Sequence, residues 1–216
     1  MDDTLLKQAR QLNLRNGGPN CPIPPIILLT DDQRLPDPAP AINALPTDSM
    51  VIFRQYDHPH RAKLGAKLRS LCRAKAIPFL VANDISLALT LDADGVHLPE
   101  YRILTTPHIY HQIPATFLVT SACHGHATIR RLGILPKQYR PDGVLISPIF
   151  PTHSHPGKNP LSLNTVLTMA ELCKHSGMTP IGLGGINKKN VGNLRSSSLA
   201  SLAGIGFSGA NTSPVR

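Results

Sequence analysis

Eight short apolar runs alternate along this chain with segments of helix length. That alternation limits the fold more than any other feature. The runs cover residues 25–30, 50–54, 79–82, 94–98, 116–120, 144–146, 180–183 and 203–207. They are continuously apolar rather than alternating, as strands buried on both faces are. Strand–helix alternation implies parallel pairing through right-handed crossovers. Eight such units predict an α/β fold, a closed (β/α)8 TIM barrel with its chemistry at the C-terminal ends of the strands. An open doubly wound sheet is the alternative.

The intervening segments carry helix signals. Leu5, Leu6, Ala9 and Leu12 share one face of a helix over 2–15, ended by Asn16-Gly17-Gly18-Pro19. Prolines 36, 38, 40 and 46 leave room for only a short helix after the first strand. Leu64, Leu68, Leu71 and Cys72 form an apolar stripe ringed by Lys63, Lys67, Arg69, Arg73 and Lys75. Asp57 or His58 would cap that helix, with Pro59 in its first turn. Shorter helices are predicted over 85–91, through Ile129, Leu132 and Ile134, and through Val191 and Leu194. Ser162 caps another, built on Leu163, Val166, Leu167 and Ala170. Asn187 would cap the helix through Val191, placing Lys188 and Lys189 in a first turn where the dipole disfavours cations.

After Ser208 eight residues remain, including Pro214, too few for a full closing helix. An extra N-terminal helix and a truncated last helix are therefore expected. The bare wall would be covered by the 2–15 helix or by a second copy in a homo-oligomer. The domain reading is an N-terminal helical extension over 1–24 and a barrel over 25–216.

Composition narrows the partners. The net charge of +9 suits nucleic acid, a membrane surface or phosphorylated small molecules. Aromatic residues make up only 4%, with no Trp, against the stacking platforms of nucleic-acid modules. No run approaches the roughly 20 apolar residues that span a bilayer. The N-terminus lacks the basic and apolar regions of a signal peptide. A cytoplasmic protein that binds neither nucleic acid nor membrane is expected. The four cysteines lie far apart without a C-x-x-C, so neither a disulfide framework nor a structural zinc site is read.

Candidate site residues gather at the strand ends. Gly184, Gly185, Gly204, Gly206 and Gly209 end the last two strands, where backbone N–H groups can approach a phosphate. A loop from Pro151 to Lys158, with Thr152, Ser154 and His155, follows the sixth strand and suits a small anion. Asn83-Asp84 could hold Mg²⁺ or cap a helix. His124 can move protons near neutral pH, or be a polar residue satisfied by backbone. Cys123-His124-Gly125-His126 and His153-Ser154-His155 raise transition-metal binding, but no helical i, i+4 pair supports it.

In order along the chain stand LLTD at 28–31, Phe53-Arg54, Asn83-Asp84, ADGVHL at 93–98, His124, PIFPTHSHPG at 148–157, GLGGI at 182–186 and a final Gly-rich strand. This set resembles the thiamine-phosphate synthase/TenI family over about 26–209. The resemblance implies two activities. A synthase joins a pyrimidine methyl diphosphate to a thiazole phosphate, with Mg²⁺ helping to expel pyrophosphate. The TenI branch is a tautomerase that aromatises a thiazole carboxylate phosphate. Both share a phosphate site after the last two strands, here Gly184, Gly185, Phe207 and Ser208. The resemblance also implies ligand contacts from Arg54, Asn83, Thr152, Ser154 and His155.

Departures from the synthase pattern point to the TenI branch. Arg-Glu-Lys becomes Arg54-Gln55-Tyr56, and the Lys after the loop hydroxyls becomes His155. Gly-Gln and two acidic residues after His-Leu become Pro99, Glu100, Tyr101 and Arg102. Asp84 is thus the remaining metal candidate, with Arg102 at the second ligand position. Losing two cations and a ligand weakens a diphosphate–Mg²⁺ site. The expectation is a thiazole tautomerase with His124 as the catalytic group, needing no cofactor. The alternatives are a synthase, for which Mg²⁺ would be expected, and a non-catalytic binder of thiazole or thiamine phosphates.

Overall fold

The computed structural model describes residues 2–18, 20–105, 107–152 and 159–207. Eight parallel strands close into a barrel in chain order. They are β1 (Ile26–Leu29), β2 (Ser49–Phe53), β3 (Phe79–Ala82), β4 (Gly95–Leu98), β5 (Leu118–Cys123), β6 (Gly143–Ile146), β7 (Thr179–Leu183) and β8 (Ser201–Gly204). β8 pairs with β1, Ile26 opposite Leu202, so the sheet has no edge and the open alternative is excluded. Every residue of β1, β2, β3, β4 and β6 is buried, which is why the runs read as continuously apolar. Burying each large aliphatic side chain contributes about 1.5–3 kcal/mol.

Helices α1 (Asp3–Asn16), α2 (Ala39–Asn43), α3 (Arg61–Ala74), α4 (Ile85–Thr90), α5 (Glu100–Thr105), α6 (His126–Gly133) and α7 (Leu163–His175) surround the strands. α1 lies over the seam between β8 and β1, burying Leu5, Gln8, Ala9 and Leu12. Its amides complete backbone carbonyls on that wall. Asn13 donates to Ile23 and Ala200, both at 3.0 Å, and Asn16 donates to Ser197 at 3.0 Å and Leu199 at 2.8 Å. The short 3₁₀ turn Val191–Leu194 is all the helix between β7 and β8. No helix among the described residues is long and apolar enough to cross a membrane.

Several boundaries differ from the sequence reading. α3 starts at Arg61, not after Asp57 or His58, because residues 58–61 first close a turn in which Arg61 N–H donates to the His58 carbonyl. β5 runs from 118 to 123, since Phe117 is held in a turn by the Pro114 carbonyl and the ladder with β6 extends to Cys123. β8 starts two residues early because its ladder with β7 begins at Ser201, opposite Ile181, where the buried Ser201 hydroxyl is satisfied by the Pro24 carbonyl at 2.7 Å. Lys188 and Lys189 occupy a turn, not a helix. Asn187 Oδ1 accepts from Lys189 N–H and Asn190 Oδ1 accepts from Asn187 N–H, which closes the turn on itself. α5 fills a stretch where no helix was read.

Candidate active site

The end of the barrel at the strand C-termini carries two contrasting halves. Over β7 and β8 lies a cavity of about 310 Å³, lined in part by Arg34, Thr152, Gly184, Gly185, Gly206 and Phe207. Its floor is glycine for a steric reason. Gly184 and Gly185 have φ of +105° and +64°, and a Cβ on Gly185 would meet backbone and side chain of Phe150 within 2.9 Å. A floor of bare backbone lets N–H groups approach an anion closely. Arg34, folded in by a turn on Asp31 Oδ1, adds a guanidinium to the lining.

Over β2, β3 and β4 lies an arc of guanidiniums. Arg54 follows β2, with Nη2 3.6 Å from Asp31 Oδ2. Arg61 comes back from the first turn of α3. It donates to Asp84 Oδ2 at 2.8 Å and to the Ala82 carbonyl at 2.9 Å. Its guanidinium lies 5.6 Å from the ring centres of both Phe53 and Tyr56. Arg102, from α5, donates to the Asn83 carbonyl at 2.8 Å and to Asn83 Oδ1 at 2.7 Å. Asn83 has φ +57°, a left-handed conformation that Asn tolerates.

This arrangement does not fit a divalent cation. Asp84 spends one carboxylate oxygen capping α4 through Leu87 N–H at 2.9 Å and the other on Arg61. The second ligand position carries the Arg102 guanidinium. Mg²⁺ requires a near-octahedral shell of hard oxygen donors, and cationic donors cannot supply it. Among the described residues no three His, Cys, Asp or Glu side chains group to hold a metal.

Between the two halves, His124 follows β5 and is exposed. Its Nδ1 lies 3.1 Å from the Ser147 carbonyl oxygen and 3.3 Å from Ser147 Oγ. A carbonyl only accepts, so Nδ1 carries the hydrogen in the neutral ring and Nε2 presents a lone pair. Glu100 Oε1 accepts from His124 N–H at 3.3 Å and from the Thr128 hydroxyl, tying α5 to the end of β5. Inside the barrel, His97 Nδ1 lies 2.9 Å from Thr120 Oγ1. Burial, with the Arg54 charge adding to it, pushes the His97 imidazole down to about 3. It is neutral at physiological pH.

The structure thus brings Thr152, Gly184, Gly185 and Phe207 to one cavity, Arg54 and Asn83 to the opposite arc, and His124 between them. Ser154, His155 and Ser208 lie outside the described residues. Arg34, Arg61 and Glu100 were not singled out as ligand or support residues in the sequence. Arg61 hides in a helix rich in basic residues, of which Arg69 is likewise paired, with Asp94, and only its place in the first turn sets it apart. Glu100 was visible only as a departure from a pattern.

The sequence pattern of the thiamine monophosphate synthase (TMP-TENI) family matches residues 39–206. A thiamine-phosphate synthase of Latilactobacillus sakei is 29% identical over 76% of this chain and 66% of its own length. One from Listeria monocytogenes is 30% identical over 60% of this chain and 58% of its own length. Both alignments fall short of two thirds of the relative. Among solved structures, thiamine phosphate pyrophosphorylase from Pyrococcus furiosus superposes with a TM-score of 0.68 at 19% identity, covering 94% of this chain and 91% of that one. That likeness is one of fold. The family pattern spans most of the barrel, and the chain belongs to the thiamine-phosphate synthase/TenI family.

Proposed function

We propose that this protein makes thiamine phosphate, joining a pyrimidine methyl diphosphate to a thiazole phosphate with release of pyrophosphate. The observation that carries the reading is the two-sided mouth: a backbone cradle over β7 and β8 faces a guanidinium arc over β2, β3 and β4. A reaction between two phosphorylated partners needs two anion sites. The relatives named thiamine-phosphate synthase support the same reading, and it displaces the tautomerase as the first expectation.

In this reaction the bond from the pyrimidine methylene carbon to the diphosphate oxygen breaks, and its electron pair leaves on pyrophosphate. The lone pair of the thiazole nitrogen forms the new C–N bond. Charge grows on the leaving group, where fixed guanidiniums stabilise it without reorganising. The cradle fixes the thiazole phosphate, so that the nitrogen is held toward the carbon.

His124 favours a second reading, the thiazole tautomerase. An exposed imidazole with Nδ1 tied to the Ser147 carbonyl leaves Nε2 as a base. Under that reading His124→Ala lowers isomerisation about 10²–10⁴-fold. A paired assay on purified protein separates the two. One arm supplies both phosphorylated substrates and follows thiamine phosphate; the other supplies the unaromatised thiazole carboxylate phosphate. Product in the first arm is expected. Isomerisation alone would transfer the function to His124, and silence in both with saturable thiazole phosphate binding would leave a non-catalytic binder.

A further inference from the structure

Arg102 is half-buried and, among the described residues, its guanidinium meets no carboxylate. Among those residues both of its hydrogen bonds go from Nη1 to neutral oxygens of Asn83, and the other donors of the fork meet no acceptor. A guanidinium held partly out of water against neutral acceptors lacks charge compensation, which an anion in the mouth would supply. Its neighbours are arranged differently. Arg61 is already matched to Asp84 and stacked between two rings, while Arg54 shares Asp31 at a loose 3.6 Å. The arc therefore has a fixed member, a loosely paired member and a member awaiting a partner.

We propose that the chain binds a diphosphate group directly through Arg102 and Arg54, without a divalent cation. Arg102 supplies the positive charge at the position where a carboxylate would otherwise recruit metal. Arg61 keeps Asp84 neutralised, so that this carboxylate does not repel the incoming anion. The inference rests on the synthase reading for its natural ligand, the leaving pyrophosphate, but its test does not need turnover.

The test is calorimetric titration of the full chain with inorganic pyrophosphate in EDTA, repeated with excess Mg²⁺. Saturable binding in EDTA is expected, no tighter when Mg²⁺ is added, because Mg²⁺ neutralises the anion that the guanidiniums recognise. Arg102→Gln should weaken it about 10-fold or more, the size of a lost charge-assisted hydrogen bond. Arg102→Lys, which keeps charge but not the fork, should fall between them. A thermal melt of each variant separates loss of binding from loss of fold. Saturating thiazole phosphate should not displace pyrophosphate. Binding that appears only with Mg²⁺, equal affinity in folded Arg102→Gln, or displacement by thiazole phosphate would each overturn the proposal. Metal-free, Arg102-dependent binding without thiamine phosphate formation would keep this site and refute the synthase reading alone.

Discussion

A Cβ on Gly185 would stand 2.3 Å from the carbonyl oxygen of Pro151, so the end of β7 and the loop after β6 meet backbone to backbone. The cradle is shaped by that contact. Gly185→Ala must displace the loop that carries Thr152, and its φ of +64° adds backbone strain. Expected are a loss of about 1–3 kcal/mol in stability from overpacking and thiazole phosphate binding weakened by at least about tenfold. Gly206 lines the same cavity, but among the described residues a Cβ there meets nothing within 4 Å. Gly206→Ala should leave stability within about 0.5 kcal/mol. Urea unfolding and calorimetry on the two variants check the contrast, and equal stability losses would deny the steric account.

The wall between β8 and β1 depends on a helix from the other end of the chain. Leu12 is fully buried beneath α1, and Asn16 satisfies two carbonyls of the segment before β8. Leu12→Ala should cost about 2–5 kcal/mol. Asn16→Ala, which strands the Leu199 carbonyl while Arg15 still donates to that of Ser197, should cost about 1–3 kcal/mol. Urea midpoints measure both. A shift under about 0.5 kcal/mol for Leu12→Ala would mean that α1 does not help hold the barrel shut.

The barrel was legible because its strands are buried on both faces and so read as unbroken apolar runs. Boundaries set by single hydrogen bonds were not. Nothing in the local pattern tells that Ser201 would be satisfied by Pro24, or that Asn187 and Asn190 would close a turn in place of a helix. The cradle was legible from glycine alone, since only a side-chain-free backbone can pass where Gly185 passes. The guanidinium arc was not. Arg61 and Asp84 are separated by an intervening strand and loop, and their pairing emerges only when α3 and α4 stand side by side on adjacent strands. Asp84 read as a metal candidate because its partner was invisible.

Arg61 carries that pairing, so its removal tests how the arc is built. Arg61→Ala would leave Asp84 without its cation, uncap the Ala82 carbonyl and open the space between Phe53 and Tyr56. Loss of charged hydrogen bonds of this kind costs about 1.5–3 kcal/mol. Arg61→Lys restores the charge without the planar fork or the stacking, and should recover less than half of the loss. Full recovery by Lys in thermal and urea unfolding would show that only the charge matters there.

His97 makes the stability of the barrel sensitive to acid. Its folded-state pKa is depressed from 6.5 to about 3, first by burial and then by the charge of Arg54. The unfolded chain therefore binds a proton between about pH 6.5 and pH 3 that the folded protein refuses. The stability from this group is fully present above the unfolded value. It is lost as pH falls toward the folded value, at about 1.4 kcal/mol per pH unit once the unfolded imidazole is protonated. His97→Gln keeps a partner for Thr120 Oγ1 but cannot titrate. Urea unfolding of both proteins between about pH 7 and pH 4 should give a steeper fall for the native chain, the difference approaching one proton. Parallel slopes would mean that the imidazole takes up its proton in the folded barrel, and that the interior around Arg54 is wetter than its burial implies.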